Sequence, residues 1–190
     1  MTMKKRLNEL VESLDSTILS TQSGEILQLD KGFSEILSRL KKLQNNRKNL
    51  IIIGNGGSAG IASHSANDFI NMCNIKAITF HDISVITCLT NDYGYKNTYS
   101  KLISCFSSED DLLIAISSSG NSENILNSVK CFKEKSPNGF VITLSGFENT
   151  NKLRAMGDLN FFNNSKSYGI VEISHQFILH FLADSLCDNC

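Results

Sequence analysis

No stretch constrains the fold more than Leu50-Ile51-Ile52-Ile53 running into Gly54-Asn55-Gly56-Gly57-Ser58-Ala59-Gly60. Four consecutive apolar residues, three of them β-branched, leave no polar face. A strand built from them must be covered on both sides, as in a parallel sheet between two helical layers. Similar runs recur at 77–80, 85–89, 112–116, 140–144 and 159–162. Helical patterns lie between most of them, near 58–72, 95–105, 121–134 and 149–156, and a last one near 171–186. This alternation predicts an α/β protein, a three-layer αβα sandwich around a mostly parallel sheet.

Two amphipathic helices precede the first such strand. Residues 3–20 place Leu7, Leu10, Val11, Leu14 and Ile18 at helical spacing, and residues 27–44 do the same with Leu27, Phe33, Ile36, Leu37, Leu40 and Leu43. Their apolar faces need cover from the domain or from a second subunit. We read residues 1–190 as one domain, with these helices serving oligomerisation. Charge narrows the partners. Lys and Arg total 18 against 19 Asp and Glu, for a net charge of -1, which disfavours a nucleic-acid binder. No apolar run approaches the ~18 residues of a membrane span. Cys187 and Cys190 form a C-x-x-C with no strand before it, and the other four cysteines are scattered. They read as reduced thiols of a cytoplasmic protein that needs no membrane.

In open parallel sheets, ligands gather beyond the carboxyl ends of the strands. The glycine-rich loop after Ile53 opens a helix there, and helix N-termini offer unpaired N–H groups to anions. It is not a Walker loop, because no Gly-Lys-Ser/Thr follows, and its G-x-G-x-x-x-G spacing misses the dinucleotide fingerprint. Asp82 leaves an NAD reading open as a lesser alternative. After Ile116 comes a second polar loop, Ser117-Ser118-Ser119-Gly120-Asn121-Ser122. Four hydroxyls at a helix start exceed the needs of a cap and suit a phosphate held without a cation. Asn91-Asp92 before Tyr93-Gly94 reads equally as a turn or a ligand contact.

His64 and Asp68 stand four apart on the helix after the glycine loop and share a face. Glu172, His175 and His180 lie on the last helix. His64, Asp68, Glu172 and His180 can together ligate a divalent metal or move protons. His81 and His175, taken alone, read as solvated polar residues or capping groups.

Together these stretches resemble the SIS (sugar isomerase) domain family and, within it, the phosphoheptose isomerases. The matching pieces are Gly54-Asn55-Gly56-Gly57-Ser58, His64-Ser65-Ala66-Asn67-Asp68, Thr90-Asn91-Asp92-Tyr93-Gly94, Ser117-Ser118-Ser119-Gly120-Asn121-Ser122, Val141-Ile142-Thr143-Leu144-Ser145-Gly146, and Glu172-Ile173-Ser174-His175 with His180. The resemblance covers essentially the whole chain. It implies a flavodoxin-like sandwich with a five-stranded sheet, and a homotetramer with active sites at subunit interfaces. It also implies a sugar-phosphate substrate contacted by Asn55, Gly56, Gly57, Ser58, Asp68, Asn91, Asp92, Ser117, Ser118, Ser119, Ser122 and Glu172. Asp68 and His180 fall on the acid/base positions. A zinc or similar divalent ion is implied at His64, Asp68, Glu172 and His180, with no organic cofactor. The family's usual residues at positions 68 and 172 are Glu and Gln, so this chain has a shorter carboxylate at one and an added charge at the other. The implied activity is the interconversion of sedoheptulose 7-phosphate and D-glycero-D-manno-heptose 7-phosphate, for lipopolysaccharide or capsule heptose synthesis. The alternative is a non-catalytic SIS protein that binds a sugar phosphate or a protein partner and regulates.

Overall fold

The computed structural model describes residues 2–187, so Cys190 of the C-x-x-C lies outside the described residues. The elements in chain order are α1 (Met3–Asp15), β1 (Ile18–Thr21), β2 (Ile26–Leu27), α2 (Leu29–Asn45), β3 (Asn49–Ile53), α3 (Gly57–Asn71), β4 (Lys76–Ile78), α4 (Ile83–Tyr93), α5 (Thr98–Phe106), β5 (Leu112–Ser117), α6 (Glu123–Lys135), β6 (Phe140–Gly146), β7 (Leu159–Asn163) and α7 (Tyr168–Cys187).

The strands form one sheet in the order β2-β1-β7-β6-β5-β3-β4. From β7 to β4 all pairings are parallel, which gives the predicted five-stranded core in flavodoxin-like order. β1 and β2 extend it antiparallel, so the whole sheet has seven strands rather than five. β5, β6 and β7 are buried at every position, which is why their sequences are largely apolar and why their polar members, such as Thr143 and Asn160, bond to each other inside. One face of the sheet packs with Leu19, Ile36, Leu40, Phe69, Leu179 and Leu182, the other with Tyr99, Ile103, Ile125, Val129 and Phe132.

Three expected elements fall differently. The run at 85–89 is helical, part of α4, not a strand. Asp82 caps that helix, its carboxylate accepting from the Ser84 and Val85 N–H groups, and no residue of α4 is buried. A strand there would need sheet neighbours that the exposed run does not have. The helix expected over 3–20 stops at Asp15, and Ile18 begins β1, whose register pairs Leu19 with Phe161. The region 149–156 contains only a short 3-10 turn, Leu153–Ala155.

Candidate active site

β3 and β5 are neighbours in the sheet, with Ile53 opposite Ala115. Their connections leave to opposite faces, so a crevice opens between them, the usual ligand position in this strand order. The crevice is a cleft of about 220 Å³ lined by Asn55, Gly56, Gly57, Ser58, Ser117, Ser118, Ser119, Ser122, Tyr168 and Glu172. Neither Lys nor Arg lines it. The sequence had marked all of these except Tyr168, an aromatic at the start of α7 that no motif signals.

The backbone fits the same purpose. Gly56 has φ 53, a left-handed conformation that turns the chain into α3. A Cβ on Gly57 would lie 2.4 Å from Glu172 Oε1, so only glycine lets that carboxylate close over the loop. Ser117 Oγ donates to Ser122 Oγ at 3.2 Å, and Ser119 Oγ accepts from the Asn121 N–H at 3.3 Å. Ser118 differs. It is 5% exposed, and its hydroxyl is buried without a hydrogen-bond partner. A buried hydroxyl left unpaired is costly unless a ligand satisfies it.

α3 and α7 lie side by side in the same direction. Gly57 meets Glu172 at one end, and Asp68 meets His180 further along. His180 Nδ1 is 3.2 Å from Asp68 Oδ2, His64 Nε2 is 3.6 Å from the same oxygen, and the two imidazoles cross at 5.0 Å. One ligand atom from each of the three lies within 4.8 Å of the others. Asp68 Oδ2 is buried and satisfies no hydrogen-bond geometry in spite of both close imidazoles. Two ring nitrogens and an orphaned carboxylate oxygen are a donor set that could hold a divalent ion. Glu172 does not belong to this group. It stands about two turns of α7 before His180, against the glycine loop.

Two further expected residues do not line the cleft. Asn91 and Asp92 are exposed at the end of α4, the Asn91 side chain donating to Asp92 Oδ1 at 3.0 Å. They end helix α4 rather than following a strand. His175 is completely buried rather than solvated, with Nε2 3.2 Å from the Ser145 carbonyl, and burial pushes its pKa down to about 4. His81 is also lowered by burial, its Nδ1 2.8 Å from Ser63 Oγ.

Comparison with known proteins agrees with this arrangement. Residues 11–145 match the SIS domain. The chain belongs to the SIS domain family. It is 31% identical over 161 residues to a phosphoheptose isomerase of Fusobacterium nucleatum, covering 82% of this chain and 81% of that one. It is 31% identical over 180 residues to the Campylobacter concisus phosphoheptose isomerase, covering 86% of this chain and 93% of the relative. The fold superposes over the full length of both chains on the phosphoheptose isomerase of Neisseria gonorrhoeae, with TM-score 0.82 and 24% identity. These relatives place the chain among the phosphoheptose isomerase-like enzymes. Among the described residues, no helix is long and apolar enough to cross a membrane.

Proposed function

We propose that the protein isomerises sedoheptulose 7-phosphate to D-glycero-D-manno-heptose 7-phosphate, supplying heptose for lipopolysaccharide or capsule. One observation carries the reading. A cation-free cleft with an unsatisfied buried hydroxyl and the paired Asp68 and His180 side chains share the interface of α3 and α7. The phosphate sits on the loop N–H groups and on the hydroxyls of Ser117, Ser118, Ser119 and Ser122. The sugar then extends along α3 toward Asp68 and His180.

Aldose–ketose exchange removes a proton from the carbon beside the carbonyl, passes through an enediol and returns a proton to the former carbonyl carbon. Asp68 and His180 serve as the acid/base pair: one takes the carbon-bound proton while the other supports the hydroxyl proton that moves between the two oxygens. His64, Asp68 and His180 would be the residues to hold a zinc or similar divalent ion, which when bound would supply Lewis-acid chemistry beside the acid/base pair. Glu172 contributes a hydrogen-bond acceptor to a sugar hydroxyl from the wall of the cleft.

The exposed surface supports an oligomer. Leu7 and Val11 on α1 and Ile173, Phe177 and Phe181 on α7 are all more than 40% exposed. Such a stripe needs a partner, and a second copy of the chain is the partner proposed, within a homotetramer that completes the site at its interfaces. Light scattering tests the assembly: a mass near 21.0 kDa at micromolar concentration would exclude it. NMR of the protein incubated with sedoheptulose 7-phosphate tests the reaction. Appearance of the aldose supports the isomerase, and tight binding without turnover would assign the regulatory role instead.

A further inference from the structure

The glycine loop and the serine loop belong to different βα units, yet one side chain joins them. Asn124, in the first turn of α6 directly behind the serine loop, is 2% exposed. Its Nδ2 donates to Asn55 Oδ1 at 2.8 Å and its Oδ1 accepts from Asn55 Nδ2 at 2.9 Å, a reciprocal amide pair. The Tyr95 hydroxyl donates to the same Asn55 Oδ1 at 2.8 Å. Tyr95 is itself held in place from α6, because Asn127 Nδ2 donates to the neighbouring Lys96 carbonyl at 3.0 Å.

A carboxamide has two acceptor sites on oxygen and two N–H donors. Both acceptor sites of Asn55 are occupied, as is one donor. Asn55 lines the cleft, so what it has left to offer a ligand is a single N–H. We propose that Asn124 and Tyr95 are positioning residues, which hold Asn55 as a fixed hydrogen-bond donor and lock the two loops into one oxyanion cradle. This rests on the reading of the cleft as the sugar-phosphate site. It adds that the cradle's geometry is set from α6 and from the turn after α4, neither of which needs to touch the ligand. A freely rotating Asn55 could present its oxygen to the phosphate and repel it; the clamp removes that orientation.

Calorimetric titration with inorganic phosphate and with sedoheptulose 7-phosphate tests the clamp. Tyr95→Phe keeps the ring of a half-exposed side chain and loses one hydrogen bond. It should weaken binding of both ligands about 3- to 10-fold with the thermal midpoint nearly unchanged. Asn124→Asp retains size but cannot donate, and should weaken binding tenfold or more on the same scale. The decisive arm repeats both substitutions in an Asn55→Ala background. If they act through Asn55, their effects on affinity vanish there; if they persist at full size, the roles are merely structural and the proposal fails. Should Asn124→Asp not fold, Tyr95→Phe decides alone. A readout without ligand separates this from the isomerase reading. In the free protein the Asn55 side-chain N–H₂ protons should be well dispersed and slow to exchange. An averaged, rapidly exchanging pair would overturn the clamp even if the enzyme turns over. Phosphate binding that depends on Tyr95, in a protein that leaves sedoheptulose 7-phosphate unchanged, would uphold the clamp and sink the isomerase.

Discussion

α7 carries two histidines five residues apart, and its two sides treat them oppositely. His180 faces α3, its side chain 41% exposed, beside Asp68. His175, about 140° around the helix, is sealed among core residues against the Ser145 carbonyl at the end of β6. One face leaves an imidazole beside a carboxylate and open to solvent; the other holds a neutral ring that braces the sheet. The same residue type on the same helix does different work because helical phase decides what surrounds it.

Several measurements would break or sharpen that contrast. The largest effect is expected on the α3 side. His180→Ala should cut turnover roughly 10²- to 10⁴-fold while phosphosugar binding and the thermal midpoint stay close to those of the parent chain. Wild-type turnover in that variant would end the assignment. His175 should show itself in stability instead. Its folded pKa of about 4 lies below the ordinary 6.5, so the unfolded chain takes up a proton first as pH falls. Stability should therefore be full above pH 6.5 and decline toward pH 4, by about 3 kcal/mol in all. Urea melts in chelator across that window check it, and His175→Gln should flatten the curve; an equally steep curve would show that other groups cause the loss.

Smaller effects belong to the cleft. Ser118→Ala should weaken phosphate binding by about 1.5–3 kcal/mol, the range for a hydrogen bond to a charged group. Unchanged affinity by calorimetry would place the phosphate elsewhere. Smallest is Glu172→Gln, which removes a negative charge from the anion cleft. It should tighten inorganic phosphate binding by about 1 kcal/mol or less, the scale of a partly solvated charge interaction, and leave the metal content set by His64, Asp68 and His180. A large loss of bound zinc in that variant would show that Glu172 is a ligand after all.

The contrast on α7 also marks where sequence reading stops. Continuous apolar runs before Gly54 and Ser117 sufficed for the parallel core and for both loops, since nothing else buries such strands. His64 and Asp68 could be paired because spacing on one helix is local. The partnership with His180, and the separation of Glu172 from it, depend on how α3 and α7 are placed against each other, which no local pattern encodes. The run at 85–89 misled for a related reason. Its β-branched residues favour a strand, but a run this short fits either state, and the Asp82 cap and the lack of sheet neighbours select the helix. His175 could not be told from a solvated residue, because burial of a single polar group leaves no mark on periodicity. Asn124 escaped notice because an asparagine at a helix start is ordinary.

The sheet's outermost strands carry a consequence of their own. β2 is two residues long, and β4, on the opposite margin, is three and begins with Lys76. A foreign strand adding to either would gain very few ladder hydrogen bonds, which is how natural sheets resist edge-to-edge aggregation. Growth of the sheet into fibres is thus discouraged at both margins.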